Sequence, residues 1–462
     1  METRLEKKYG LVTAIAMVVG IVIGSGVFFK AEKVLTATGG SLKLGILAWV
    51  IGGIIMISCA YTFAVMATKY EKVNGIVDYA EAAMGEKYGY YVGWFMAIIY
   101  YPTLTSVLAW VSARYACVLL GFSITGGECM TIACLFLIGS YAINALSPVL
   151  AGKFQVSTTI IKLIPLILMA IIGTIVGIHS GMTMTNFTTV VKKVDTANAL
   201  FTAVVATAFA YEGWIIATSI NAELKDAKKN LPLALVAGTF IIMTVYILYY
   251  IGLAGAVTNE VMMKGGEAGA KLAFQKIFSS AGGTLVFVFV IISCLGTLNG
   301  LMLGCTRGIY SLAARDLGPK PKMFKQIDSE TNMPSNSSIL GLLLCAIWLL
   351  FFYGANLTTP WFGFFCFDSS ELPIVTIYAL YIPIFIMIMK KEKDLSSFKR
   401  FVMPTISLAG CIFMIIAACF SHKMAVVAYL IVFAIIMAIG ALFSNKANVN
   451  LKANNCLKDV TN

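Results

Sequence analysis

Gly20-Ile21-Val22-Ile23-Gly24-Ser25-Gly26-Val27-Phe28-Phe29 lies in the middle of an apolar run over about 11–36. Two glycines around a serine, flanked by β-branched residues, make a poor continuous helix, since Gly costs ~1 kcal/mol against Ala in a helix interior. A second interruption, Phe209-Ala210-Tyr211-Glu212-Gly213-Trp214, falls inside the sixth apolar run. Lipid offers no partner for a free N–H or C=O, so broken backbone at membrane depth survives only where protein or a cavity surrounds it. Breaks in the first span of two successive five-span sets point to the substrate site of a small-molecule carrier.

Composition sets the frame for that reading. Of 462 residues, 59% are hydrophobic and 12% are charged, about half the charged share of a soluble domain. The chain therefore reads as an all-α polytopic membrane protein. Twelve spans are expected, near 11–36, 44–67, 91–120, 130–150, 154–178, 199–220, 233–257, 284–314, 338–353, 361–389, 401–420 and 424–443. The basic 1–8 stretch precedes a run too long for a signal peptide, so it is expected to lead an uncleaved first helix. Segments on the side of the N-terminus carry more than twice the Lys and Arg of the other side, which predicts both termini in the cytoplasm of a cell membrane. The +12 net charge is then a topology signal, and nucleic acid is not an expected partner. Eleven scattered cysteines without a CxxC pair read as small hydrophobes; Cys129 alone is placed to offer an intermolecular disulfide.

The loops hold few signals. A surface helix is expected around 78–84, helical spacing continues over 268–278 in the longest outer loop, and 446–462 reads as a frayed basic tail. Asn186-Phe187-Thr188 and Asn356-Leu357-Thr358 are outer sequons.

The two breaks carry the chemistry. Backbone N–H groups at the start of the half-helix after Ser25 suit a carboxylate, and carbonyls ending the first half suit an ammonium. Small residues in membrane helices also serve close packing, and spacing alone leaves both readings open. Phe209, Tyr211 and Trp214 around Gly213 read either as ordinary packing or, at a broken helix, as a pocket wall or lid. Glu212 at the helix centre costs about 2.5–3.5 kcal/mol on insertion scales, so it is expected to face water or a partner.

Gly24-Ser25-Gly26-Val27-Phe28 resembles the G-S-G-I/V-F signature of the amino acid–polyamine–organocation superfamily. Phe209–Trp214, with Asn221-Ala222-Glu223-Leu224-Lys225 and Asn230-Leu231-Pro232, is similar to the corresponding run of its L-type amino acid transporter and serine/threonine exchanger branch. Leu298-Asn299-Gly300, Arg307 and Arg315-Asp316 are similar too. The likeness covers spans 1 to 8 well and spans 9 to 12 by layout.

That resemblance implies a five-plus-five inverted repeat, spans 1–5 (about 9–178) against 6–10 (about 197–389), with helices 1 and 6 broken. Two further spans cover about 400–444, completing one transporter domain over 1–444, and a cytoplasmic tail covers 445–462. It implies L-amino acid transport by alternating access, with Ser25 and Gly26 on the carboxylate. The carbonyls of Val22, Ile23, Phe209 and Glu212 would lie near the ammonium. Gly24, Ala210, Gly213 and Trp214 complete the expected site, Phe209 is its gate and Asn299 its border.

Lys162 lies about eight residues, ~12 Å, inside span 5. A lone lysine there reads as one that snorkels, whereas some bacterial members of the branch carry a span-5 lysine that resembles a stand-in for the sodium of related carriers. Asp368 and Glu371 match no family motif. With Glu212 they set three acidic groups against one lysine at membrane depth. That excess points either to proton coupling through Glu212 or Glu371, or to a cationic amino acid or polyamine substrate.

Exchange is the expected mode, because a fixed lysine in place of a dissociable cation removes one means of driving uphill uptake. No cofactor or metal is expected, nor an enzymatic activity. With histidine only at 179 and 422, metal or acid–base chemistry inside the membrane lacks material. No T-V-G-Y-G repeat suggests a channel filter. A partner subunit is not encoded in any motif.

Overall fold

The computed structural model describes residues 10–70, 75–217, 224–331, 333–357 and 359–460. Every extended element among them is a helix. Ten helices are long and apolar enough to cross a membrane, and Leu11–Gly20 and Thr196–Tyr211 are shorter apolar helices at the first and sixth expected spans. Exposed Leu135, Ile138, Ile347 and Ile416 belong to apolar faces that lipid solvates as readily as protein does.

The first run is divided into α1 (Leu11–Val22) and α2 (Gly26–Ala37). There follow α3 (Leu42–Lys69), the surface helix α4 (Ile76–Met84), α5 (Glu86–Leu120), α6 (Gly127–Leu146) and α7 (Leu150–His179). After the short α8 (Met182–Thr188) come α9 (Thr196–Tyr211) and one turn of α10 (Trp214–Ala217). Next are α11 (Ala227–Ala256), α12 (Asn259–Gly265) and α13 (Glu267–Ala313), the last kinked at Phe278 and Ser279. The chain closes with α14 (Pro321–Phe324), α15 (Ser335–Ala355), α16 (Leu372–Lys391), α17 (Phe398–His422) and α18 (Met424–Val460).

Prolines explain two irregularities near the centre. Pro102 has no N–H for the carbonyl of Ile98, and the preceding turn, Met96–Tyr100, widens to π geometry. Trp348 Nε1 donates to that carbonyl at 3.0 Å, so the freed group is satisfied from α15. In α7, Pro165 follows a turn at Lys162 that separates two helical segments. The second segment packs on α11 through small residues. A Cβ on Gly252 would meet the Met169 carbonyl at 2.1 Å, so backbone touches backbone there.

Four expectations need correction. The tenth span does not begin at 361: the 361–371 stretch holds only the 3-10 turn Gly363–Phe365, and the helix begins at Leu372. Its aromatic residues are apolar because they pack on α15, with Phe351 stacked on Phe362 at 5.1 Å and against Phe367 at 4.6 Å. The tail expected to fray carries the helix on to Val460. Asn186 is buried and its amide donates to the carbonyls of Ala254 and Val257, so its sequon is structural. Cys129 is fully buried, which removes it as an intermolecular link. The 1–8 leader, 221–223 and Thr358 of the second sequon lie outside the described residues.

Candidate functional site

α1 ends because Ile23 turns extended (φ −66°, ψ 110°). The carbonyl of Gly20 thereby loses the N–H of Gly24 that a continuing helix would bring to it. Lys162 Nζ donates to that Gly20 carbonyl and is buried. The lysine does not snorkel; it sets a cation at the negative end of α1's dipole. A methyl of Thr159 fills the space over Gly20, 2.7 Å from where a Cβ would stand.

α2 restarts at Gly26 with Ser25 as its cap residue. Ser25 makes no side-chain cap bond, and its hydroxyl is buried without a partner among the described residues. The free N–H groups of α2's first turn lie beside it. Both neighbouring glycines are also packing residues: a Cβ on Gly24 would stand 2.3 Å from Thr297 Oγ1, and one on Gly26 2.5 Å from Ala210 Cα. The packing reading of this motif is thereby borne out, and the close packing at Gly26 brings the start of α2 against α9.

α9 stops at Tyr211, and Glu212 is extended (φ −75°, ψ 157°). Gly213 has φ 107°, a conformation that L side chains resist. Tyr246 Oη lies 3.2 Å from the Val22 carbonyl and 3.1 Å from that of Ala210. One phenol thus bridges the ends of both first halves, and the Val22 carbonyl already has this donor. Tyr211 stacks on Tyr246 and donates to the Trp49 carbonyl at 2.8 Å, which anchors the break on α3. Tyr100 donates to Glu212 Oε1, while Oε2 is buried without a partner among the described residues.

These groups surround a water-accessible cavity of about 250 Å³. That is room for roughly eight waters, a volume suited to a small ligand. Of the expected residues, Val22, Gly24, Ser25, Gly26, Lys162, Phe209, Glu212 and Gly213 line it. Ile23, Ala210, Trp214 and Asn299 do not. Trp214 is packed between Phe63 and Tyr381. Asn299 donates to Ala151 O and Gln155 Oε1 and accepts from Asn144; Gly300, one residue on, forms the wall instead. Sequence reasoning missed Tyr100, Leu104, Leu108, Gln155 and Thr297 in the lining. Pro102 in span 3 was the available signal for Tyr100.

The cavity's two ends differ. Towards α4, a second cavity of about 280 Å³ shares Gly300 and Leu303 with the first and is lined by Arg307 and Arg315. Arg315 pairs with Asp78 and Glu81. On the other side Phe209 meets Phe29 edge-on, centroids 5.9 Å apart. Lys30 Nζ sits 5.0 and 5.2 Å from those two rings. It is held at 2.6 Å by Glu371 Oε1 and at 3.1 Å by Ser370 Oγ, and His422 Nε2 lies 3.0 Å from Glu371 Oε2. Asp368 caps the start of α16, accepting from the Ser370 and Glu371 N–H groups at 2.7 and 3.1 Å. The acidic excess expected at this depth is therefore partly offset by a second buried lysine, Lys30, which that balance left out.

A family model described as amino acid permease matches residues 9–442. The serine/threonine exchanger SteT of Bacillus subtilis is 29% identical over 418 residues, covering 89% of this chain and 91% of that protein. The human b(0,+)-type amino acid transporter 1 is 25% identical, covering 75% of this chain and 71% of that protein. The mouse Asc-type amino acid transporter 1 is 26% identical, covering 74% and 63%. These relatives are transporters, not enzymes, and the chain belongs to the amino acid permease family.

Proposed function

We propose that this permease exchanges one L-amino acid for another by alternating access, with the substrate held between the broken ends of α1–α2 and α9–α10. The observation that carries the reading is the buried Ser25 hydroxyl at the start of α2, without a partner among the described residues and on the wall of a cavity of about 250 Å³. A carboxylate there gains the hydroxyl, the free N–H groups and the positive end of the α2 dipole together. Carbonyls ending α1 and α9 receive the ammonium. The wall opposite is apolar at Leu104 and Leu108, which accommodates a side chain.

Exchange is favoured by Lys162. Its cation is covalently fixed and bound to the carbonyl that α1 leaves free, so the site holds its charge without an ion that dissociates down a gradient. On this reading the twelve expected spans form two inverted sets of five plus two, with both termini cytoplasmic. The Arg307-lined cavity then leads to the cytoplasm. The finer site roles of Val22, Gly24, Gly26, Phe209 and Gly213 rest on the same arrangement.

A second reading rests on Glu212. Glu212 lines the same cavity, and its Oε2, without a partner among the described residues, fits either a cationic substrate side chain or a proton. Counterflow in proteoliposomes separates the readings. Labelled amino acids entering only vesicles preloaded with amino acid, regardless of a pH gradient, support exchange. Entry into empty vesicles driven by an acidic exterior supports proton coupling, and competition by ornithine or putrescine supports a cationic substrate.

A further inference from the structure

The geometry points to a binding site for the phosphate headgroup of an anionic phospholipid, in the cavity where α3, α11 and the start of α17 meet. The inference is independent of the transport reading. The cavity holds about 320 Å³, and Lys228, Lys229 and Lys399 line it together with Tyr61, Thr68 and Pro232. Among the described residues its wall has no carboxylate.

Three ammonium groups around one hollow repel each other unless an anion joins them. Among the described residues, the acids beside Lys69 are already engaged. Glu392 and Asp394 hold Lys69, and Tyr70 donates to Glu392 Oε1 at 2.6 Å. That bond to the carboxylate pushes the Tyr70 phenol up to about 12. Asp226, two residues before Lys228, is exposed and stands outside the cavity wall. Arg400 is not free to serve the hollow, since its Nε donates to Met389 O and its guanidinium lies over Phe401.

The surroundings select a lipid over a free phosphate. Leu233, Phe398, Phe401 and Val402 are exposed large apolar residues of α11 and α17, so acyl chains have a surface beside the charged hollow. Basic pockets between helices at the membrane boundary are suited to such headgroups. Each lysine near an anionic lipid is worth about 1 kcal/mol, a factor of about five, so three give on the order of a hundredfold preference.

The test uses the full chain in detergent. Native mass spectrometry follows retention of dioleoyl phosphatidylglycerol against dioleoyl phosphatidylcholine, with glycerol 1-phosphate and inorganic phosphate as soluble competitors. The wild type is expected to retain phosphatidylglycerol selectively. Lys228→Gln/Lys229→Gln/Lys399→Gln should lose that selectivity by about a hundredfold, while the triple Lys→Arg variant keeps it. Lys87→Gln/Lys320→Gln/Lys322→Gln, which removes as much charge elsewhere, should also keep it. Equal retention of both lipids by the wild type, or undiminished selectivity in the triple Gln variant, would overturn the site. Displacement of the lipid by glycerol 1-phosphate or phosphate at equal concentration would assign the hollow to a soluble anion and overturn the lipid. Size-exclusion profile and helical circular dichroism establish that each variant is folded; if the triple Gln variant is not, the three single Lys→Gln variants decide, each expected to lose about fivefold in selectivity, and undiminished selectivity in all three would overturn the site.

Discussion

Lys30 of α2 and Glu371 at the start of α16 stand 341 residues apart in the chain and meet at 2.6 Å. Both side chains are buried. The pair lies directly behind the Phe29–Phe209 contact that bounds the cavity. Parting two buried charges is costly unless each finds water or a new partner, so this pair ties α2 to the start of α16 beside that contact. Removing one partner is expected to leave the other uncompensated, at about 3–5 kcal/mol, whereas removing both is close to neutral. Lys30→Met should therefore lower the midpoint of thermal unfolding in detergent, and Lys30→Met/Glu371→Met should recover most of it. A double variant no more stable than the single one would show that the pair is not a unit.

His422 is expected to make the same pair pH-dependent. Its Nε2 faces Glu371, and Lys30 and Asp368 are the other charged groups there. Neutral, the imidazole contributes a hydrogen bond. Protonated, it becomes a second cation on the Glu371 carboxylate and tightens the contact between α17 and the start of α16. Entry from that side should slow as the pH there falls and the imidazole gains its proton. In His422→Gln the slope should vanish; an unchanged slope would place the titrating group elsewhere.

The breaks were legible in the sequence because Gly24-Ser25-Gly26 and Glu212-Gly213 violate helix propensity where lipid tolerates no free backbone. Lys162 was legible as an anomaly, a lone charge inside an apolar run. Its acceptor was not, because that acceptor is a carbonyl freed only when α1 stops short. Lys30 was hidden by its place near the end of a span, where lysines ordinarily reach water, and only the fold brings Glu371 to it. The tenth span was misplaced for a related reason. The aromatic residues of 361–367 score as membrane-embedded, but they pack against α15 rather than wind into a helix.

Ser25 offers a test in which folding and binding separate. Its hydroxyl has no partner among the described residues, so Ser25→Ala should leave the unfolding midpoint within about a degree of wild type. A hydrogen bond to a charged group is worth about 1.5–3 kcal/mol. The half-saturating substrate concentration in counterflow should accordingly rise by roughly tenfold to a hundredfold. An unchanged value would remove Ser25 from the carboxylate site.

Glu212→Gln keeps the acceptor for Tyr100 and removes the charge. If Oε2 meets a cationic side chain, ornithine should lose its ability to compete while neutral amino acids keep theirs. A variant that exchanges every substrate as the wild type does would reduce Glu212 to a packing and hydrogen-bonding role.

Lys162 joins α7 to the end of α1, and two explanations of that bond make different predictions. As a plain cap on the Gly20 carbonyl, it contributes stability, and Lys162→Met should lower the unfolding midpoint while the surviving protein exchanges at normal rate. As the fixed charge of the site, it also biases how α1 moves when the carrier changes which side is open. Lys162→Met should then bind substrate with near-normal affinity, measured by stabilisation against unfolding, yet exchange at least tenfold more slowly. Lys162→Arg, which keeps charge and donor, should recover part of that rate. The position of Lys162 on both the α1 terminus and the cavity wall favours the second outcome, because a cap alone has no reason to line the cavity.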